Sequence, residues 1–264
     1  MGKYFTVEVK PTILPSIQDD GAFVDADVLF DWTAFDIPKG AAKLINVTAL
    51  IRGNTATPQT YAMDLFFAKS RKGGSIDPPS LGTAHATASG TGYQNHLIGA
   101  YKIEESDYTV TGQLDNSVNI SVTSQDMNID NRAPAAPSLI LQGEPESGTN
   151  VGYDKLWVGA TTPDGGAIYN APAVILRGAI TDDTTLVAPT DAGSDDDPDA
   201  ELKFAPGDII YATDDLLVGT IKSIAAFGSS KQDITFESGI TSDLADNDVF
   251  YNVHPITLIL QFEK

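Results

Sequence analysis

No segment of a dozen residues carries apolar side chains at i, i+3, i+4 and i+7 free of Gly and Pro, so the chain gives almost no helix signal. Strand signals recur from end to end instead. KYFTVEVK, AFVDADVLFDW, AKLINVTALIR, TYAMDLFFAK and NHLIGAYKI are short, rich in Val, Ile, Thr and aromatics, and closed by Gly, Pro, Asn or Asp. NSVNISVTS, PSLILQG, DKLWVGAT, PAVILRGAI, GDIIYATD, LLVGTIKSIAAF, QDITFES, DVFYNV and ITLILQFEK continue the series. Strands at this spacing build a sandwich or a barrel. At 264 residues the chain is long enough for one large β domain or two ordinary ones, each with a real core.

The alternation within segments adds detail. In NSVNISVTS, Val118, Ile120 and Val122 share one face and Asn119, Ser121 and Thr123 the other, which predicts a sheet with one wet side. AKLINVTALIR leaves little polar face and predicts a central strand covered on both sides. ITLILQFEK is equally apolar, so this last segment is expected to be docked within a sheet.

Between residues 181 and 201 the composition shifts. TDDTTLVAPTDAGSDDDPDAE holds eight acidic residues and no basic one, as a solvated linker would. The expected architecture is all-β: a jelly-roll-like β-sandwich body over 1–180, completed by a last strand at 254–264. An acidic linker over 181–203 then leads into a small C-terminal β-barrel-like insertion over 204–253. GDIIYATDDLLVGTIKSI, residues 207–224, opens that insertion as two strands around an acidic break. Removing residues 181–252 is expected to leave the sandwich able to fold.

Charge narrows the partners. Sixteen Lys and Arg against 36 Asp and Glu give a net −20, which repels phosphate backbones and anionic lipid and argues against nucleic-acid binding. No run approaches a membrane-spanning helix, and the alternating, Pro-broken start MGKYFTVEVKPTILPSI is unlike a signal peptide. Gly2 and Thr6 formally fit a myristoylation pattern, but the stretch is read as a strand. With no cysteine there are no disulfides, thiolate metal sites or thiol catalysis.

Candidate chemistry is sparse. His85 and His96 are close enough in sequence to share a metal, yet no carboxylate lies between them, and both are read as loop or surface histidines; His254, before Pro255, marks a bend. SQDMNIDNRAP places Asp126, Asn128 and Asp130 like the first half of a calcium loop. Pro137 stands where the bidentate Glu belongs, so an Asx-rich turn is the favoured reading. The Asp195–Asp197 run and Asp246 with Asp248 lack a scaffold for tight cation binding. SGTG at 89–92 lacks a nucleophile elbow, Ser229, Ser230 and Lys231 make a polar turn, and Lys72-Gly73-Gly74-Ser75 lacks the spacing of a phosphate loop. No catalytic, cofactor or metal residue is assigned, and no enzyme is expected. Lys69, Arg71 and Lys72 form the one basic cluster, a place where an acidic surface could dock.

The block VLFDWTAFDIPKGAAKLINVTALIRGN, with DLFFAKS, SLGTA and LIGAYKI, resembles virion structural proteins of tailed phages. GDIIYATDDLLVGTIKSI, DITFESGI and LADNDVFYNVHPITLILQFEK are similar to the small barrel-like segment of such proteins. The resemblance covers most of 28–103 and 204–264 and implies a capsid decoration (cement) protein, or a tail or neck component. It implies the major capsid protein as partner, a homo-oligomer with a trimer favoured, a place on the capsid surface, and no cofactor, nucleic acid or membrane. Two competing readings remain. One is a carbohydrate-binding β-sandwich using Trp32, Trp157, Tyr93 or Tyr153 as stacking platforms, although both tryptophans lie in strands and are expected in the core. The other is an enzyme whose carboxylates converge only in the fold.

Overall fold

The computed structural model describes residues 3–38, 40–52, 60, 62–71, 76–89, 92–110, 120–123, 140–143, 156–169, 173–181, 184–191, 200–226 and 231–264. The first strands are β1 (Tyr4–Val9), β2 (Val28–Phe35), β3 (Gly40–Arg52), β4 (Met63–Lys69), β5 (Leu97–Ile103) and β6 (Tyr108–Val110). Then come β7 (Ile120–Thr123), β8 (Ile140–Gly143), β9 (Leu156–Thr161), β10 (Ala173–Ile175) and β11 (Val187–Asp191). The last are β12 (Ile209–Ala212), β13 (Leu216–Ile224), β14 (Lys231–Phe236), β15 (Val249–Asn252) and β16 (Ile256–Glu263). The α-helices among the described residues are single turns, α1 (Pro15–Gln18) and α2 (Ala200–Lys203). The chain is all-β.

Two antiparallel sheets form the sandwich. One runs β1-β16-β3-β7-β6, with β8 also on β3, and the other β2-β9-β4-β5. A single core fills the space between them, drawing Val47, Leu258 and Phe262 from the first sheet and Leu65, Phe67 and Val158 from the second. β16 alternates strictly between buried and half-buried positions, with Ile256, Leu258, Leu260 and Phe262 inward. Burying each such side chain stabilises the fold by about 1.5–3 kcal/mol. The strand lies between β1 and β3, so this apolar segment is docked on both edges. β3 is central, as its composition predicts, but it is not covered on both faces. Val47, Ala49 and Ile51 are buried while Thr48 and Leu50 are half-buried, so the face turned to the second sheet is the more fully covered.

The remaining strands form a sheet in the order β10-β15-β12-β13-β14-β11. A bridge between Leu176 and Thr190, with the Arg177 amide donating to the Pro189 carbonyl at 2.9 Å, draws its two ends together into a nearly closed barrel. Its separate core includes Val174, Ala188, Ile210, Ile221, Ile234 and Phe250. This corrects the limits expected for the second unit. β10 lies before residue 180 and β11 lies within the supposed linker, yet both pair with barrel strands and their buried residues belong to the barrel core. Pro189 concealed β11. Its missing N–H is tolerated because it sits where the barrel edges meet, and its carbonyl still accepts a bond.

Four turns share one device, and each delivers the chain directly into a strand. At Asp27, Asp107, Asp208 and Asp248 the backbone N–H donates to the carbonyl three residues earlier. The carboxylate of each accepts from the N–H of that same earlier residue: Val24, Glu104, Ala205 and Ala245, at 2.8–2.9 Å. The strands entered are β2, β6, β12 and β15. A charge-assisted bond to a turn N–H is worth about 1.5–3 kcal/mol. Part of the acid excess is therefore structural.

Candidate functional site

The acidic break of the β12–β13 hairpin is a joint between the two units. Asp214 and Asp215 both hold positive φ, 62° and 59°, in a left-handed turn that Asp tolerates better than most residues. That conformation presents the Asp215 carboxylate to α1, where it accepts from the Ser16 N–H at 2.9 Å and the Ser16 hydroxyl at 2.7 Å. Gln18 Nε2, buried, donates to the carbonyls of Ile13 at 2.6 Å and Asn252 at 3.0 Å, and the Ile13 N–H donates to Val253 O at 2.8 Å. Arg52, at the end of β3, pairs with Asp208 at 2.6 Å. His254 follows in the turn between β15 and β16, its Nε2 3.5 Å from Thr12 Oγ1. Burial holds its pKa below the usual histidine value, helped by the positive charges of Lys10 and Arg52 and opposed by Asp208.

The other histidines are engaged separately. His85 stacks on Phe23 with ring centroids 3.7 Å apart and donates from Nε2 to Ile17 O at 2.9 Å. His96 is buried, contrary to the loop or surface position expected, and its Nδ1 donates to Lys69 O at 2.9 Å. Among the described residues no three His, Asp or Glu side chains are grouped to hold a metal ion. The Asp126–Asp130 candidate, Asp195–Asp197, Lys72–Ser75, Ser229–Ser230 and Tyr153 lie outside the described residues. Asp246 caps a neighbouring turn, accepting from the Gly178 N–H at 2.7 Å, and Asp248 serves its own turn.

Neither tryptophan is in a core, which corrects the expectation drawn from their strand positions. Both are half-buried, on the face of the second sandwich sheet turned away from the core. Trp32 Nε1 donates to Pro79 O at 2.9 Å, and its ring meets Tyr93 edge-on at 6.3 Å. Trp157 Nε1 donates to Ser70 Oγ at 3.1 Å, and that hydroxyl donates to Asp77 at 2.9 Å. Gly159 lies beneath: a Cβ there would stand 2.6 Å from Leu81 Cδ1 and 3.1 Å from the Trp32 ring. The indoles thus fasten Ser70 and Pro79 over the sheet. Along β4 in the same sheet, the pKa of Asp64 is raised by burial and by Asp164, with Lys102 acting against them.

Six of the eight large apolar side chains exposed among the described residues lie at two places; the other two are Tyr4, on β1, and Val24, before β2. Leu186, Val187, Leu216 and Leu217 stand at one rim of the barrel, tied to one connecting segment. Phe236 N–H donates to Leu186 O, Ile240 N–H to Thr185 O, and Ser242 Oγ to Leu217 O, all at 2.8–2.9 Å. Ile76 and Leu97 stand at the tip of the sandwich, beside exposed Lys69 and Arg71. Arg71 and Ile76 bridge each other, and Leu97 lies opposite Ala68. Composition by itself conceals these groupings, since each depends on strand register. The Asp-closed turns were detectable: APGDIIY and ADNDVFY repeat one phrase at the entries to β12 and β15.

No helix among the described residues is long and apolar enough to cross a membrane. No protein-family model matches the sequence, and no curated protein matches it.

Proposed function

We propose that the chain is a virion structural protein that binds and stabilises the exterior of a phage capsid, as a decoration or cement protein. One observation carries this reading. Six of the eight large exposed apolar side chains among the described residues collect at two separate ends of the β scaffold, one ringed by acids and the other beside bases, as surfaces for adhesion do. The polar side chains that could suggest chemistry are bound into turns and joints: Asp208 and Asp215 at the interface of the units, His85 and His96 on backbone carbonyls. The charge of −20 suits a protein that must stay dissolved before it assembles. The partner in this reading is the major capsid protein, and the tail or neck is the other place in a particle where such a scaffold would serve. Mass spectrometry of purified particles, followed by rebinding of the isolated protein to stripped capsids, tests it. Repeated copies on the shell are expected, and particles free of the protein would overturn the reading.

A carbohydrate-binding sandwich is the second reading, favoured by the half-buried Trp32 and Trp157 outside the core. Glycan binding lost in Trp157→Ala, with an unchanged melting curve, would support it in place of the first.

A further inference from the structure

We infer that copies of this chain associate head to tail, the basic sandwich tip of one seating on the acidic barrel rim of the next. The two surfaces match in both respects that matter for an interface. Each offers apolar side chains that water covers poorly: Ile76 and Leu97 at the tip, Leu186, Val187, Leu216 and Leu217 at the rim. Each carries the charge the other lacks.

The rim is acidic throughout. Asp214, Glu237 and Asp243 are exposed on the segments that build it, and residues 178–191, 204–221 and 232–253 contain no Lys or Arg. Two rims brought face to face would set these carboxylates against one another, so a symmetric rim-to-rim dimer is opposed. The tip presents Lys69 and Arg71, with Lys72 next in sequence. Asp77, close to the tip, has its carboxylate engaged by the Ser70 hydroxyl at 2.9 Å. In a chain of net −20 this is a basic cluster that the rim can find on a second copy, and it is the one with exposed apolar side chains Ile76 and Leu97 beside it. A contact between two different surfaces of identical chains closes into a ring or runs on as a filament, according to the rotation between neighbours.

Charge reversal separates this arrangement from others. The tip variant Lys69→Glu/Arg71→Glu makes both ends acidic, and the rim variant Asp214→Lys/Asp243→Lys makes both ends basic. Each alone is expected to sediment as a monomer under conditions where the wild-type chain associates, while an equimolar mixture regains association because every tip then meets a rim of opposite charge. Wild-type association is expected to weaken as salt is raised. Leu217→Thr leaves all charges in place and is expected to weaken association about tenfold or more with an unchanged melting curve. A monomeric wild-type chain, variants that assemble alone as well as the wild type, or a mixture that stays monomeric would each overturn the inference. It stands apart from the capsid reading: a chain that assembles in solution but is missing from particles keeps the head-to-tail contact and removes the virion role.

Discussion

The Arg52 guanidinium lies 2.6 Å from the Asp208 carboxylate and joins the end of the central sandwich strand to the entry of the barrel hairpin. The same carboxylate oxygen accepts the Ala205 N–H at 2.9 Å, so one oxygen serves both the turn and the joint. Asp208→Ala removes both contacts and leaves a partly buried guanidinium unpaired. The expected loss is about 2 kcal/mol in chemical denaturation. Arg52→Ala keeps the turn and is expected to cost less, so the difference between the variants measures the turn bond.

The histidine at the same joint makes stability depend on pH. The folded-state pKa of His254 is lowered, so as pH falls the unfolded chain takes up the proton first, near its ordinary value of about 6.5. Its contribution is therefore fully present above that pH and is lost as the pH falls below it. Thermal melts at about pH 7.5 and 5.5 are expected to show a smaller fall for His254→Gln than for the wild type. An equal fall would remove His254 as a cause.

Gly159 is required by packing and not by its backbone angles. Gly159→Ala would place a methyl against Leu81 and Trp32, both of which are fixed between sheet and connection. A loss of about 1–3 kcal/mol is expected, with a change in tryptophan fluorescence as Trp32 shifts. A variant as stable as the wild type would mean that Leu81 and Trp32 yield easily.

Among the described residues the sandwich core takes none from 173–253. Replacing that span by a flexible Gly/Ser linker is expected to leave a β-rich protein that melts cooperatively, somewhat less stable for want of the contacts at Ile13, Ser16 and Arg52. Cutting at 181–252 instead would leave β10 without its partner strand β15 and expose Val174. That protein is expected to aggregate more. Circular dichroism and light scattering distinguish the two.

Much of the scaffold was legible because strand formation leaves a local trace. Alternation in ITLILQFEK announces a docked strand, and the Asp-Asp break announces the turn between β12 and β13. β11 was hidden by Pro189 and by the acids around it, since its membership of the barrel depends on β14 and on the 176–177 edge. The tryptophans show the same limit. A strand position says that a side chain lies on one face or the other, and only the partner sheet decides which face is the core.

The class of fold and the acid excess are legible in the chain itself, because backbone preference and side-chain ionisation are properties of short segments. That β10 and β11 belong to the barrel, that Asp215 clasps Ser16, and that six of the eight large exposed apolar side chains among the described residues fall into an acidic rim and a basic tip came from the tertiary structure. These are relations between residues far apart in the chain. Register and closure set them, and no local pattern encodes either.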